Sequence, residues 1–135
     1  MNSPLLGLDL GFRRTGVAIS ENGLLARPLT VIRARPPHMQ VVVEAVIQLV
    51  NEHKIATLVI GLPYTEDDRL TSQALKVERI ISQIDSALAA QGMKPEIKRI
   101  NEFHTSLDAA AIYPEAPLDA AAAALILQDY IDQHA

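Results

Sequence analysis

Apolar and polar positions alternate at the start of the chain. In "LLGLDLGFRRTGVAIS", Leu5 to Ser20, the two-residue period of an extended backbone puts Leu6, Leu8 and Leu10 on one face and Leu5, Gly7, Asp9 and Gly11 on the other. The pattern predicts a first strand, then a turn through Phe12, Arg13, Arg14 and Thr15 bracketed by Gly11 and Gly16, and a second strand in "GVAIS". Asn22-Gly23 predicts a tight hairpin into a third strand around Leu24 to Ile32. Pro28 lies inside that strand and has no N–H for a ladder, which assigns the strand to a sheet edge.

After Pro36-Pro37 the period changes. Met39, Val43, Val46, Ile47 and Val50 share one face of a helix, and "ATLVIGLP" is the continuous apolar run of a fully buried strand. Beyond the polar loop "YTEDDRLTS", Val77, Ile80, Ile81, Ile84 and Leu88 mark a second helix that ends at Gly92, and "PEIKRI" reads as a fifth strand. Thr105 or Ser106 can cap a short helix stopping near Pro114, and Pro117 opens a last one, "LDAAAAALILQDYIDQ", whose alanines suit close packing.

Three meander strands followed by helix, strand, helix, strand, helix predict an α/β fold. Right-handed crossovers lay the later strands parallel to the first on the side away from the hairpin, giving a mixed five-stranded sheet flanked by helices. Ligands gather at the carboxyl ends of such parallel strands. Asp9, near the end of strand one, and Asn101-Glu102, just after strand five, open onto that rim. The glycines on either side of Asp9 leave open space on its face, a setting for a ligand or a metal.

Length and composition narrow the class. A chain of 135 residues, 49% of them apolar, fits one domain over residues 1–135. The absence of cysteine excludes a disulfide framework and a thiolate zinc site and favours an intracellular setting. No leader pattern and no long apolar run occurs, so a soluble, cytoplasmic protein without a membrane span is expected. The net charge of −4 hides an asymmetry. Residues 1–40 carry five arginines against Asp9 and Glu21, a net +3, whereas residues 100–135 carry six acids and no lysine or arginine, a net −6. This is the balance of a phosphate-facing rim beside a metal-holding floor, or of ordinary solvated charge.

Three acids, Asp9, Glu102 and Asp119, stand where the topology can bring them together. Clustered carboxylates repel unless a cation neutralises them, and hard divalent ions such as Mg²⁺ or Mn²⁺ take oxygen ligands. Two such ions about 4 Å apart activate a water and stabilise the leaving oxygen in phosphodiester hydrolysis. Each acid has an ordinary alternative. Asp9 can accept from turn amides, Glu102 can be a solvated loop acid, and on spacing alone Asp119 is by default a helix-terminal acid favoured by the dipole. His38, His53, His104 and His134 form no close ligand pair, although His104 lies two residues from Glu102. Ser72, Ser82 and Ser106 lack a nucleophile-elbow context, and "GLDLG" is neither a Walker motif nor a dinucleotide fingerprint.

Taken together, "LGLDLGFRRTGVAIS", "LVIGLP", "NEFHTS" and "LDAAAAALILQDYID" resemble, nearly end to end, the YqgF/RuvX family. These are bacterial proteins with a ribonuclease H-like fold, described as Holliday junction resolvases and as nucleases maturing the precursor of 16S ribosomal RNA. The resemblance implies a divalent-metal-dependent nuclease acting on structured RNA or on branched or single-stranded DNA. It implies Asp9, Glu102 and Asp119 as catalytic, metal-binding acids holding two Mg²⁺ or Mn²⁺ ions, and products with 5′-phosphate and 3′-hydroxyl ends. A homodimer would be needed for junction resolution. Arg13, Arg14 and Arg69 are the candidate phosphate contacts, with Arg79 further off, because basic side chains supply most nucleic-acid affinity. Phe12 and Phe103 border the acids, with base stacking and packing as equal readings.

The chain departs from the family pattern at Asn101 and Phe103, which replace an acid and a base beside Glu102, and at Thr65 and Asp68 in the central loop, where Asp67 and Gln73 are kept. The segment before the last helix is also short and lacks lysine. These departures motivate the alternative function, a catalytically weakened nucleic-acid or ribosome-assembly binding module. The "DLG" turn also resembles the phosphate loop of actin-like ATPases, which need two such domains around the nucleotide.

Overall fold

The computed structural model describes residues 3–62, 72–101 and 106–134. Its five strands are β1 (Leu5–Asp9), β2 (Arg14–Ser20), β3 (Arg27–Arg33), β4 (Thr57–Leu62) and β5 (Glu96–Asn101). Its helices are α1 (Gln40–His53), α2 (Ser72–Ala90), α3 (Ser106–Ile112) and α4 (Leu118–Gln133). The strands form one sheet in the order β3-β2-β1-β4-β5. β1 pairs antiparallel with β2 and parallel with β4, and β5 adds parallel to β4. The meander and the parallel extension thus lie on opposite sides of β1, as the order of elements predicts.

The alternation along β1 decides which layer each side chain joins. Leu6, Leu8 and Leu10 pack with the apolar faces of α1 (Val42, Val43, Val46) and α2 (Val77, Ile81, Ile84) on one side of the sheet. Leu5 joins Ala123, Ala124 and Leu127 of α4 on the other. Burying each such leucine or isoleucine contributes about 1.5–3 kcal/mol. β4 is the buried strand its apolar run predicts, with every residue from Leu58 to Leu62 enclosed. β5 is half-exposed, sending Ile97 to one layer and Ile100 to the other.

Pro28 does sit on an edge strand, and the ladder breaks beside it. Val17 pairs with Thr30 but Ala18 with Pro28, so Leu29 is an extra residue on β3. The connection before it differs from the expected tight hairpin. β3 begins at Arg27 rather than Leu24, and residues 21–26 form a longer loop. Asn22 shapes this loop with its side chain, because Oδ1 accepts from the N–H groups of Leu24 (2.9 Å) and Leu25 (3.2 Å). Such an Asx-type turn competes with the two-residue turn that Asn-Gly otherwise favours. Leu24 and Leu25 are left exposed.

α4 lies unusually close to the sheet. Its Ala120, Ala121, Ala123 and Ala124 are fully buried, and the strand positions beneath it are glycines. A Cβ on Gly7 would meet Leu127 Cβ and the Ala123 carbonyl, and one on Gly61 would meet the Ile126 side chain. The space expected beside Asp9 at Gly7 is therefore filled, by a helix that only alanine and glycine allow to approach so closely. At Gly11 it is filled by the backbone of Arg14. No helix among the described residues is long and apolar enough to cross a membrane.

Candidate functional site

Asp9 ends β1, where it pairs in register with Gly16 of β2. Gly16 in turn lies under the first turn of α4, so close that a Cβ there would overlap the Asp119 carbonyl. Gly16 therefore brackets no turn. It is a strand residue whose missing side chain lets a helix terminus settle beside the end of β1. The stack of Asp9, Gly16 and Asp119 brings two of the three expected acids together. Glu102 lies outside the described residues, as do Phe103 and His104. Asn101 is the last residue of β5 rather than a loop residue following it. Among the described residues no group of three ligating side chains occurs.

Electrostatics couple the two carboxyl groups. Burial, and secondarily the Asp119 charge, push the Asp9 carboxyl from its ordinary 3.8 up to about 6. Asp119 lies in the first turn of α4, whose N-cap residue is Pro117. Its carboxylate is held by Arg14, whose Nε lies 3.1 Å from Oδ2. Both groups are half-exposed, so the pair adds at most about 1 kcal/mol, and a competing cation or phosphate can displace it. Two neighbouring oxygen-donor carboxylates, one of them resisting ionisation because it is buried beside the other, are a donor set that fits a hard divalent ion.

The turn before β2 is braced from within. The buried Thr15 hydroxyl accepts from the Gly11 N–H and donates to the Gly11 carbonyl, both at 3.4 Å. This leaves Arg13 and Arg14 exposed at the mouth of a cleft of about 520 Å³ that also holds Phe12, Gln73, Lys76 and Asp119. Phe12 packs partly on the core, and Lys76 Nζ lies 6.0 Å from its ring centroid. Arg13 and Arg14 thus share a cleft with Asp119, Arg14 as the first residue of β2 rather than within the turn before it. Arg69 lies outside the described residues. Lys76 was not legible as a site residue, because on the sequence it is one more charge on the polar face of α2. Only the seating of the first turns of α2 against Phe12 brings it to the cleft.

A raised carboxyl pKa has a defined effect on stability. The folded state binds more protons than the unfolded state between pH 3.8 and about 6, so stability falls as pH rises through that window. In metal-free protein, ionised Asp9 costs about 2 kcal/mol after allowance for its partial exposure. Thermal melts in EDTA should therefore show Asp9→Asn above wild type by several degrees at pH 8, and the gap closing toward pH 4. A variant that melts below wild type at pH 8 would contradict the strained carboxylate.

The whole fold matches known proteins. A family model, RuvX, described as Holliday junction resolvase, matches residues 3–133. The chain is 35% identical to the "Putative pre-16S rRNA nuclease" of Chloroflexus aurantiacus, over 95% of this chain and 86% of that protein. It is 37% identical to the protein of the same name from Acaryochloris marina, over 95% and 91%. Among solved structures it resembles Thermus thermophilus RuvC in complex with a Holliday junction substrate, with a TM-score of 0.66 and 17% identity over 97% of this chain and 95% of that one. It also resembles the yeast mitochondrial Holliday junction resolvase Ydc2, with a TM-score of 0.53 and 11% identity over 99% and 85%. The structural likeness establishes a ribonuclease H-like fold, and the match over nearly all of the sequence establishes that the chain belongs to the RuvX family of nucleases.

Proposed function

We propose that this chain is a divalent-metal-dependent nuclease that hydrolyses phosphodiester bonds in structured nucleic acid in the cytoplasm. Its place is 5′-end maturation of 16S ribosomal RNA precursor, the activity in the names of its relatives, or resolution of four-way junctions, which would require a homodimer presenting two sites. The observation that carries this reading is the meeting of Asp9 and Asp119, from β1 and α4, at the edge of an arginine-bearing cleft.

In this reading Asp9, Asp119 and Glu102 hold Mg²⁺ or Mn²⁺, which when bound supplies Lewis-acid activation of water and stabilisation of the leaving oxygen. Asp9 must be ionised to ligate, so acidification through about pH 6 competes with metal binding. Arg14, released from Asp119, places its guanidinium on the scissile phosphate, and Arg13 stands next to it at the cleft mouth. Lys76 approaches from α2 as a third positive charge, and Phe12 closes the floor between them. Exclusion of bulk water is modest in so open a cleft, so positioning and charge carry the catalysis.

Two measurements test the reading. Purified protein should cleave precursor-like RNA or a four-way DNA junction with Mg²⁺ or Mn²⁺ and neither in EDTA. In the absence of substrate, millimolar Mg²⁺ or Mn²⁺ should raise the melting temperature by a few degrees, about 1.4 kcal/mol for an ion near tenfold its dissociation constant, and should not do so in Asp9→Asn. Cleavage undiminished by EDTA would reject the metal site. Tight nucleic-acid binding with no cleavage under either metal would favour the non-catalytic binding module instead.

A further inference from the structure

A second groove adjoins the site cleft. It measures about 460 Å³ and lies between the turn joining β1 to β2 and the connection from β3 to α1, lined by Arg13, Arg14, Arg33, Arg35, His38 and Val41. Arg13 and Arg14 line both hollows, so the two lie side by side across these arginines. The backbone fixes this grouping. Arg14 and Arg33 are register partners across β2 and β3, and the Ala34 N–H donates to the Arg13 carbonyl at 3.1 Å.

Such a grouping is unfavourable by itself, because like charges directly opposite on neighbouring strands repel. Among the described residues, Arg13, Arg33 and Arg35 have no carboxylate within ion-pair reach, and Arg14 forms its one ion pair with Asp119 of the neighbouring cleft. Elsewhere the fold pairs Arg27 with Glu21 and Arg99 with Glu78, both at 2.8 Å, and leaves only Arg79 without an ion pair among the described arginines outside the groove. A groove that gathers four guanidinium groups and supplies no acid of its own is suited to an external polyanion. A single phosphate engages one or two of the forks, whereas a phosphodiester chain offers a partner to each in turn.

We propose that the substrate backbone, on one side of the cleavage point, leaves the acid site over Arg13 and Arg14 and runs through this groove along Arg33 and Arg35. The inference rests on the nuclease reading and adds to it a direction for the bound strand and two residues that grip it away from the chemistry.

The test is equilibrium binding by fluorescence anisotropy in EDTA, which prevents cleavage, with a labelled precursor-like RNA and a labelled four-way DNA junction at several salt concentrations. The double variant Arg33→Ala/Arg35→Ala should bind whichever probe the wild type binds about tenfold to a hundredfold more weakly. Its plot of log affinity against log salt should be shallower by about 1.4–1.8, the contribution of two phosphate contacts. Arg27→Ala/Arg99→Ala removes the same charge from ion pairs outside both hollows and should bind within about twofold of wild type, because it loses no phosphate contact. The melting temperature of Arg33→Ala/Arg35→Ala should equal or exceed wild type, since a repulsive contact is relieved; a structural role for these arginines would lower it. Unchanged affinity and salt slope in Arg33→Ala/Arg35→Ala, or an equal loss in the matched variant, would overturn the groove and leave the nuclease reading standing. A wild-type protein that binds neither probe would overturn both.

Discussion

Asp9→Asn should lower metal-dependent cleavage by about a thousandfold or more, roughly 4 kcal/mol of transition-state stabilisation, while the protein stays folded. Asparagine has nearly the shape of aspartate, so the register of Asp9 with Gly16 and the seating of α4 survive. What disappears is the charge at the end of β1. The amide oxygen is a poorer ligand for a hard cation, and Asp119 alone, already engaged by Arg14, cannot replace it. The loss should appear in the chemical step rather than in nucleic-acid binding, because Arg13, Arg14 and Lys76 remain in the cleft. Single-turnover rates with saturating protein separate the two. A variant that loses affinity but cleaves bound substrate at the wild-type rate would remove Asp9 from the metal shell.

That variant folds for the same reason that Asp9 could be singled out in the sequence. A carboxylate within an alternating Leu/Gly strand is a buried charge without evident compensation, and such local conflicts mark functional sites. The strand order was likewise legible, since a meander, a hairpin side and two crossover helices admit few arrangements, and Pro28 placed β3 at the edge. Other features depended on contacts far apart in the chain. Asp119 is two residues past a proline at a helix start, and nothing local distinguishes a cap from a ligand there. Only the glycine at position 16, read as part of a turn, brings it to Asp9. The space predicted beside Asp9 is filled for the same reason: glycine on a strand signals close approach of something, and the occupant at Gly7 is the alanine face of α4. Lys76 and the pairing of Arg14 with Arg33 needed the positions of α2 and β3, which periodicity alone does not supply.

Gly16→Ala should be among the most damaging single-methyl additions in this fold, and it should damage the site together with the core. The added Cβ would overlap the carbonyl group of Asp119 and press on the Ala120 nitrogen, so the obstacle is backbone rather than a side chain that can rotate away. β2 cannot yield, because Gly16 is held between Asp9 and Val31 in the ladders on either side. Nor can α4 slide freely, with Ala120, Ala123, Ala124 and Leu127 buried against the sheet. Overpacking of this kind costs about 3 kcal/mol or more, a large part of the roughly 5–15 kcal/mol that holds a domain together, and should lower the melting temperature by about 10 °C. Gly92→Ala provides the contrast. Gly92 ends α2 at φ 77° with nothing near its Cβ position, so its cost is the left-handed backbone alone, about 1 kcal/mol. At a temperature where both variants are folded, Gly92→Ala should keep the metal-induced rise in melting temperature and full cleavage. Gly16→Ala should lose both, because lifting the first turn of α4 moves the Asp119 carboxylate away from Asp9. A Gly16→Ala protein as stable as Gly92→Ala, with its metal response intact, would show that the helix terminus can give way without carrying the acid with it.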